Sequence, residues 1–233
     1  MILNLSKILN DINTFVVPPH CFGCNDVLYR GEHVLCAFCR NELPLTEYNF
    51  REENAVDRIF YGRCRVFKAG ALLYYSENGI VQRLIHGLKY RGLEKTATYL
   101  GAWYGAALSR EPILQGVDFV LPVPLHKNKV RKRGYNQCTR FGQEIALHLG
   151  AVYSEKLLVK TITTPTQTTK DRWNRWRGIH GAFHTPAPGN LKGKSVLLVD
   201  DVITTGATLE ACGTVLQAAG CRQLFIAAMA FVP

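Results

Sequence analysis

One run of the chain combines acids, small hydroxylated residues and glycine in an order suited to chemistry. It reads VLLVDDVITTGATL over residues 196–209. Four apolar residues form a buried strand, and Asp200 and Asp201 follow at its C-terminal end, where open α/β sheets place their ligands. Thr204, Thr205, Gly206, Ala207 and Thr208 then make a turn that opens a helix. Backbone N–H groups at such a turn, helped by threonine hydroxyls, wrap a phosphate at the positive helix end. Gly206 lets the backbone approach closely. An acid pair beside a phosphate nest makes sense if the ligand is a sugar phosphate, whose phosphate occupies the nest while its vicinal hydroxyls donate to the carboxylates. A lone acid pair reads more plainly as an Asp cap with a solvated neighbour. The full string is more specific, and it is not a P-loop, because no Gly-Lys-Ser/Thr follows the strand.

A second cluster is Cys21-x2-Cys24 with Cys36-x2-Cys39. Each CxxC turn brings two thiolates to one ion, and two such turns complete a closed tetrahedral zinc site with no open position. That makes the zinc structural. A disulfide pair or four unrelated thiols are the competing readings, and His20 and His33 are spare donors not expected to ligate. Cys64, Cys138, Cys212 and Cys221 stand alone and read as buried structural thiols.

Two basic segments complete the inventory. Residues 126–140 hold six lysines or arginines and no acid, and include His126, Lys127, Asn128 and Arg133. Residues 160–178 hold Lys160, Lys170, Arg172, Arg175 and Arg177 against Asp171, with Trp173 and Trp176 among them. Basic runs are commonly solvated surface. Arginines beside tryptophans on a long polar loop also suit closure over a base or stacking on unpaired nucleotides.

Stepping from these residues to the elements that hold them, strands are expected over 71–75, 119–123, 195–199 and 224–232. Helices are expected over 80–88, 136–149 and from the glycine turn to residue 219. Alternation of strand and helix implies a mostly parallel sheet covered on both faces. Residues 153–183 do not fit that alternation, and such long loops are usually functional. Residues 1–17 read as an amphipathic helix rather than a signal peptide, since Lys7, Asn10, Asp11 and Asn13 interrupt the apolar positions. No stretch is long and apolar enough to span a membrane. The expected organisation is a helix over 1–17, a zinc-ribbon module over 18–48 and an α/β domain over 55–233. A cytoplasmic chain with reduced thiols is expected. The net charge of +10 favours anionic partners and does not choose between nucleic acid and phosphorylated small molecules.

The 196–209 string resembles the motif by which type I phosphoribosyltransferases bind phosphoribosyl pyrophosphate (PRPP). The resemblance implies a five-stranded parallel core with a variable hood, Asp200 and Asp201 on the ribose hydroxyls, and Thr204–Thr208 around the 5-phosphate. Further segments are similar to the ComF family of competence-associated phosphoribosyltransferase homologues: the double CxxC, HGLKYRG over 86–92, PVP over 122–124 with RGYNQ over 133–137, and Thr166-Gln167, Arg172 and GAF over 181–183. This implies a pyrophosphate-side loop over 122–128 and a lid over 160–178, with Gly178 departing from the family's asparagine. It makes His126, Lys127, Asn128, Arg133, Lys89, Arg172 and Arg175 candidates for the pyrophosphate or lid contacts. The implied activity is Mg2+-dependent glycosyl transfer from PRPP to an acceptor the sequence does not identify, with no residue standing out as general base. A non-catalytic factor binding single-stranded DNA or a DNA-uptake or recombination protein, and a PRPP-sensing regulator, are the alternatives.

Overall fold

The computed structural model describes residues 18–160 and 182–233. The helix expected over 1–17, and the lid candidates Arg172 and Arg175, lie outside the described residues.

Five strands form one parallel sheet in the order β1-β7-β6-β2-β3: β1 is Lys68–Tyr74, β2 Phe119–Pro122, β3 Val152–Tyr153, β6 Ser195–Ile203 and β7 Gln223–Phe231. Val159–Lys160 (β4) and Phe183–His184 (β5) pair separately and antiparallel. The long apolar runs of the central strands follow from burial on both faces. Along β6, Leu197 and Val199 join the core on one side, and Val196 and Leu198 join the core on the other. Along β7, Phe225, Ala227 and Met229 alternate in the same way with Leu224, Ile226 and Ala228. This is the two-residue period of a pleated strand.

The first face carries Ile80–Tyr90, Glu94–Leu108 and Cys138–Leu149; the second carries Ala55–Ile59 and Ala207–Ala218. With Ala37–Asn41 and Lys127–Arg133 these are, in chain order, α1 (Ala37–Asn41), α2 (Ala55–Ile59), α3 (Ile80–Tyr90), α4 (Glu94–Leu108), α5 (Lys127–Arg133), α6 (Cys138–Leu149) and α7 (Ala207–Ala218). Helices α4 and α6 meet at backbone distance, because a Cβ on Gly101 would lie 2.8 Å from the Phe141 carbonyl oxygen. Leu28, Val34, Leu35 and Leu43 of the cysteine-rich segment share a core with Leu84 and Leu88 of α3. These four side chains are therefore buried by packing on the α/β body, while Val27, Tyr29 and Phe38 stay exposed. Among the described residues no helix is long and apolar enough to cross a membrane.

Helix α4 has no counterpart among the expected elements, and two further features depart from expectation. Strand β6 continues to Ile203, so both acids lie within it rather than beyond its end. The basic run after PVP folds as α5, a seven-residue helix with no buried residue, closed by Gly134 at φ 83°. Without an apolar face it offers no helical period to detect.

Candidate sugar-phosphate site

The chain leaves β2 toward the β3 edge and leaves β6 toward β7 on the opposite side, so the order reverses between β2 and β6. Ligands of open α/β sheets bind in the crevice that such a reversal opens at the strands' C-terminal ends. Pairing of β2 with β6 stops at Pro122 and Val199, followed by one bond from the Val123 N–H to the Val199 carbonyl. β6 goes on along β7 through Asp200, Val202 and Ile203. The acid pair therefore sits where β6 has a strand on one side only.

Asp201 is buried and held by two groups. Lys89 Nζ lies 2.9 Å from Asp201 Oδ2, and Gln137 Nε2 donates to the same oxygen at 2.8 Å. Gln137 Oε1 in turn accepts from Arg133 Nη1 at 2.8 Å, and the Arg133 guanidinium lies 5.5 Å from the Tyr90 ring centre. The two motifs HGLKYRG and RGYNQ thus meet at one carboxylate. Their remaining residues lock that meeting. Tyr135 donates its hydroxyl proton to the Leu88 carbonyl, and Asn136 donates to the Val123 carbonyl and caps Cys138 N–H. Gln137, Tyr90 and Tyr135 belong to these motifs, and nothing in the sequence assigns them a role.

Asp200 has a different environment. Its Oδ1 accepts the Asp201 N–H at 2.8 Å and faces the Cys138 thiol at 3.8 Å, and no cation pairs with it among the described residues. Burial, reinforced by the neighbouring Asp201 charge, pushes its pKa up to about 7. Burial likewise holds the Cys138 thiol well above its ordinary range, with Asp200 adding to the effect. Successive residues of a strand point to opposite faces, so the two acids cannot act as a symmetric clamp.

Asp200 also lines a cradle of about 50 Å3 with Val202 and residues 203–209. Thr204, Thr205 and Thr208 are exposed at its rim. Gly206 has φ 70° and lies against α2, where a Cβ would come within 2.7 Å of Ile59 Cγ2. It is the N-cap of α7 and offers no side chain, and apart from a long 3.5 Å bond from Ala207 N–H to Thr205 Oγ1 the first-turn amides of α7 remain available to an anion. Arg63 fixes the loop from outside, donating to the Thr205 carbonyl at 2.7 Å and pairing with Glu210 at 2.5 Å. Nothing in the sequence around Arg63 signals that role.

The other candidates divide. Lys89 and Arg133 are drawn into the Asp201 network. His126 caps α5, its Nδ1 accepting from Asn128 N–H at 3.2 Å. Lys127 and Asn128 are exposed on that first turn, and no contact joins them to the acid pair among the described residues.

At the other end of α3 the four cysteine sulfurs lie within 4.8 Å of one another. Cys24 and Cys36 Sγ are 3.7 Å apart, close to the roughly 3.8 Å edge of a tetrahedron with Zn–S bonds of about 2.3 Å. Gly23 N–H and Cys36 N–H point at Cys21 Sγ at 3.3 and 3.2 Å. Burial pushes the Cys21 thiol up, but amides of Cys24, Cys36 and Gly23 outweigh it and bring the pKa to about 7. The donor set fits a closed Zn2+ site, and Gly23 is required there, since a Cβ would lie 2.8 Å from Cys39 Sγ. Neither His20 nor His33 belongs to the cluster. Of the isolated thiols, Cys138 and Cys212 are buried, while Cys64 and Cys221 are half-buried.

Residues 138–233 match the phosphoribosyl transferase domain family. The chain is 30% identical over 129 residues to DNA utilization protein YhgH of Escherichia coli K12, covering 54% of this chain and 56% of that protein. It is 30% identical over 108 residues to Competence protein F of Haemophilus influenzae, covering 46% and 47% respectively. The chain thus spans about half the length of the curated relatives it matches. Among solved structures, the allosteric regulatory enzyme of purine biosynthesis aligns at 18% identity and TM-score 0.44, over 62% of this chain and 30% of that one. A hypoxanthine phosphoribosyltransferase from Staphylococcus aureus aligns at 15% and 0.35, over 60% and 75%.

Proposed function

Taking the chain as ComF-like, on these relatives, the domain match and the four-cysteine cluster, we propose that it binds PRPP and transfers its phosphoribosyl group, Mg2+-dependently, to an acceptor. The observation that carries this reading is the acid pair beside the glycine cradle at the reversal of strand order. The 5-phosphate takes the amides and hydroxyls of Thr204–Thr208, and the ribose hydroxyls lie against Asp200 and Asp201. Lys89 and Gln137 hold the Asp201 carboxylate oriented, so its ordering is complete before ligand arrives. Asp200, with its pKa raised to about 7, accepts from a ribose hydroxyl as the carboxylate and donates to one as the acid.

In the transfer the bond from C1 to the pyrophosphate oxygen breaks, its electron pair leaving with pyrophosphate. An acceptor lone pair forms the new bond to C1. Mg2+ carried by the pyrophosphate and ribose oxygens would offset the leaving charge. His126, Lys127 and Asn128 at the start of α5, with Arg172 and Arg175, are the proposed polar and basic groups on the pyrophosphate side. A part in DNA uptake is proposed from the names of the relatives.

Titration calorimetry of PRPP with and without Mg2+ tests the reading. Micromolar binding that needs Mg2+, with ribose 5-phosphate competing, is expected. Absence of both interactions, with single-stranded DNA bound instead and steeply weakened by salt, would establish the binding-factor alternative.

A further inference from the structure

A cavity of about 1260 Å3 lies between the first cysteine turn and α3. Arg83, Lys89 and Arg91 line it with His20, His86 and Tyr90, and no aspartate or glutamate is among its described lining residues. Arg83 is engaged as a strut, its Nε donating to the Gly23 carbonyl at 2.5 Å and its Nη1 to Asn78 at 3.1 Å. Arg91 is exposed, with no carboxylate partner among the described residues. Tyr90 keeps 62% of its surface exposed. The His86 ring lies 4.7 Å from it and the Arg133 guanidinium 5.5 Å. An exposed phenol ring flanked by a cation and a second ring is a stacking surface. Lys89 belongs to the wall of this cavity and at the same time to the Asp201 ion pair. The cavity therefore adjoins the acid pair.

We infer that this cavity is the subsite of the acceptor, and that the acceptor is a planar, anionic ring such as an aromatic carboxylate, stacked on Tyr90 with its charge toward Arg91. The inference rests on the phosphoribosyl-transfer reading above. Lys89 pairs with Asp201 on one side and lines the cavity on the other, so a ring lying there would reach a ribose held at Asp201. Cys21 and Cys24 bring thiolate charge to one wall, but at the Tyr90 wall Arg91 has no carboxylate partner among the described residues, and that cation favours an anion over a neutral base of the same shape.

The experiment is titration of the full zinc-loaded chain, holding ribose 5-phosphate, with nicotinate and anthranilate against nicotinamide and anthranilamide. Each acid is expected to bind about tenfold or more tighter than its amide, the scale of one charge-assisted hydrogen bond. Arg91→Gln should erase that preference and Arg91→Lys keep it. Tyr90→Ala should weaken acid and amide alike, with circular dichroism showing each variant folded. Equal binding of acid and amide, or no binding of either while ribose 5-phosphate binds, overturns the inference and leaves the sugar-phosphate reading intact. Tight binding of an oligothymidylate in place of the acids also overturns it. If ribose 5-phosphate itself fails to bind, the sugar-phosphate reading falls, and aromatic acids bound without it would occupy a cavity that is no acceptor subsite.

Discussion

Lys89 Nζ and Asp201 Oδ2 stand 2.9 Å apart, joining a helix of the N-terminal half to the central strand of the C-terminal half. The pair is partly sheltered, with side-chain exposures of 24% and 8%, so solvent screens it incompletely. Gln137 on the same oxygen makes it a small network rather than an isolated contact.

The network should be cooperative. Lys89→Met and Asp201→Asn are each expected to lower stability by about 1–3 kcal/mol. The double variant should lose clearly less than the sum, because the second change removes a charge the first has orphaned. Urea denaturation of the four proteins measures this, and strict additivity would mean that the two side chains do not interact in solution.

Asp200 should behave in the opposite sense. Its folded pKa of about 7 lies above its ordinary 3.8, so the folded chain keeps a proton that the unfolded chain releases between these values. Its contribution to stability is most favourable below pH 4, falls as pH rises toward 7, and stays reduced above. Asp200→Asn removes that loss. The melting temperature of the variant relative to the parent should rise between pH 5 and pH 8, and a difference that does not change with pH would contradict the assignment.

Ligand binding separates the acids from the cradle. At pH 8, above the Asp200 pKa of about 7, Asp200→Asn and Asp201→Asn are each expected to weaken ribose 5-phosphate by roughly tenfold to a hundredfold, the worth of a charge-assisted hydrogen bond. Inorganic phosphate should bind as before or more tightly, since one negative charge has gone. If both folded variants bind ribose 5-phosphate like the parent, the acids do not hold the ribose.

The cysteine module should hold about one Zn2+ per chain, measurable by plasma emission. Its apolar residues share a core with α3. Chelation, or Cys36→Ser, is therefore expected to lower the melting temperature of the whole chain and to raise hydrogen exchange in residues 20–45 and along α3. Zinc-free protein that melts like the parent would show the metal to be dispensable.

The strand-acid-glycine-helix string and the double CxxC were legible because both are local. Each needs only a few consecutive residues and a known backbone shape, and the parallel sheet followed from runs buried on both faces. The unequal environments of Asp200 and Asp201 were not legible. They depend on β6 lying between β2 and β7, which brings Lys89 and Gln137 to one acid and Cys138 to the other. No spacing in the chain encodes that. Arg63 was overlooked for the same reason, its partners Thr205 and Glu210 being distant in sequence. The exposed α5 carries no apolar stripe to betray it.

Strand β1 pairs with β7 along one edge, and its other edge takes a short antiparallel bridge from Leu45 to Leu73. On the ribosome, residues 68–74 therefore emerge long before the strand that receives them. From then until residues 223–231 have been synthesised, an apolar segment waits with its edge uncovered, a template for pairing with another nascent chain. The order of synthesis thus makes β1 the place where a chaperone would be needed most. Premature termination within the last strand would leave that edge permanently unfilled.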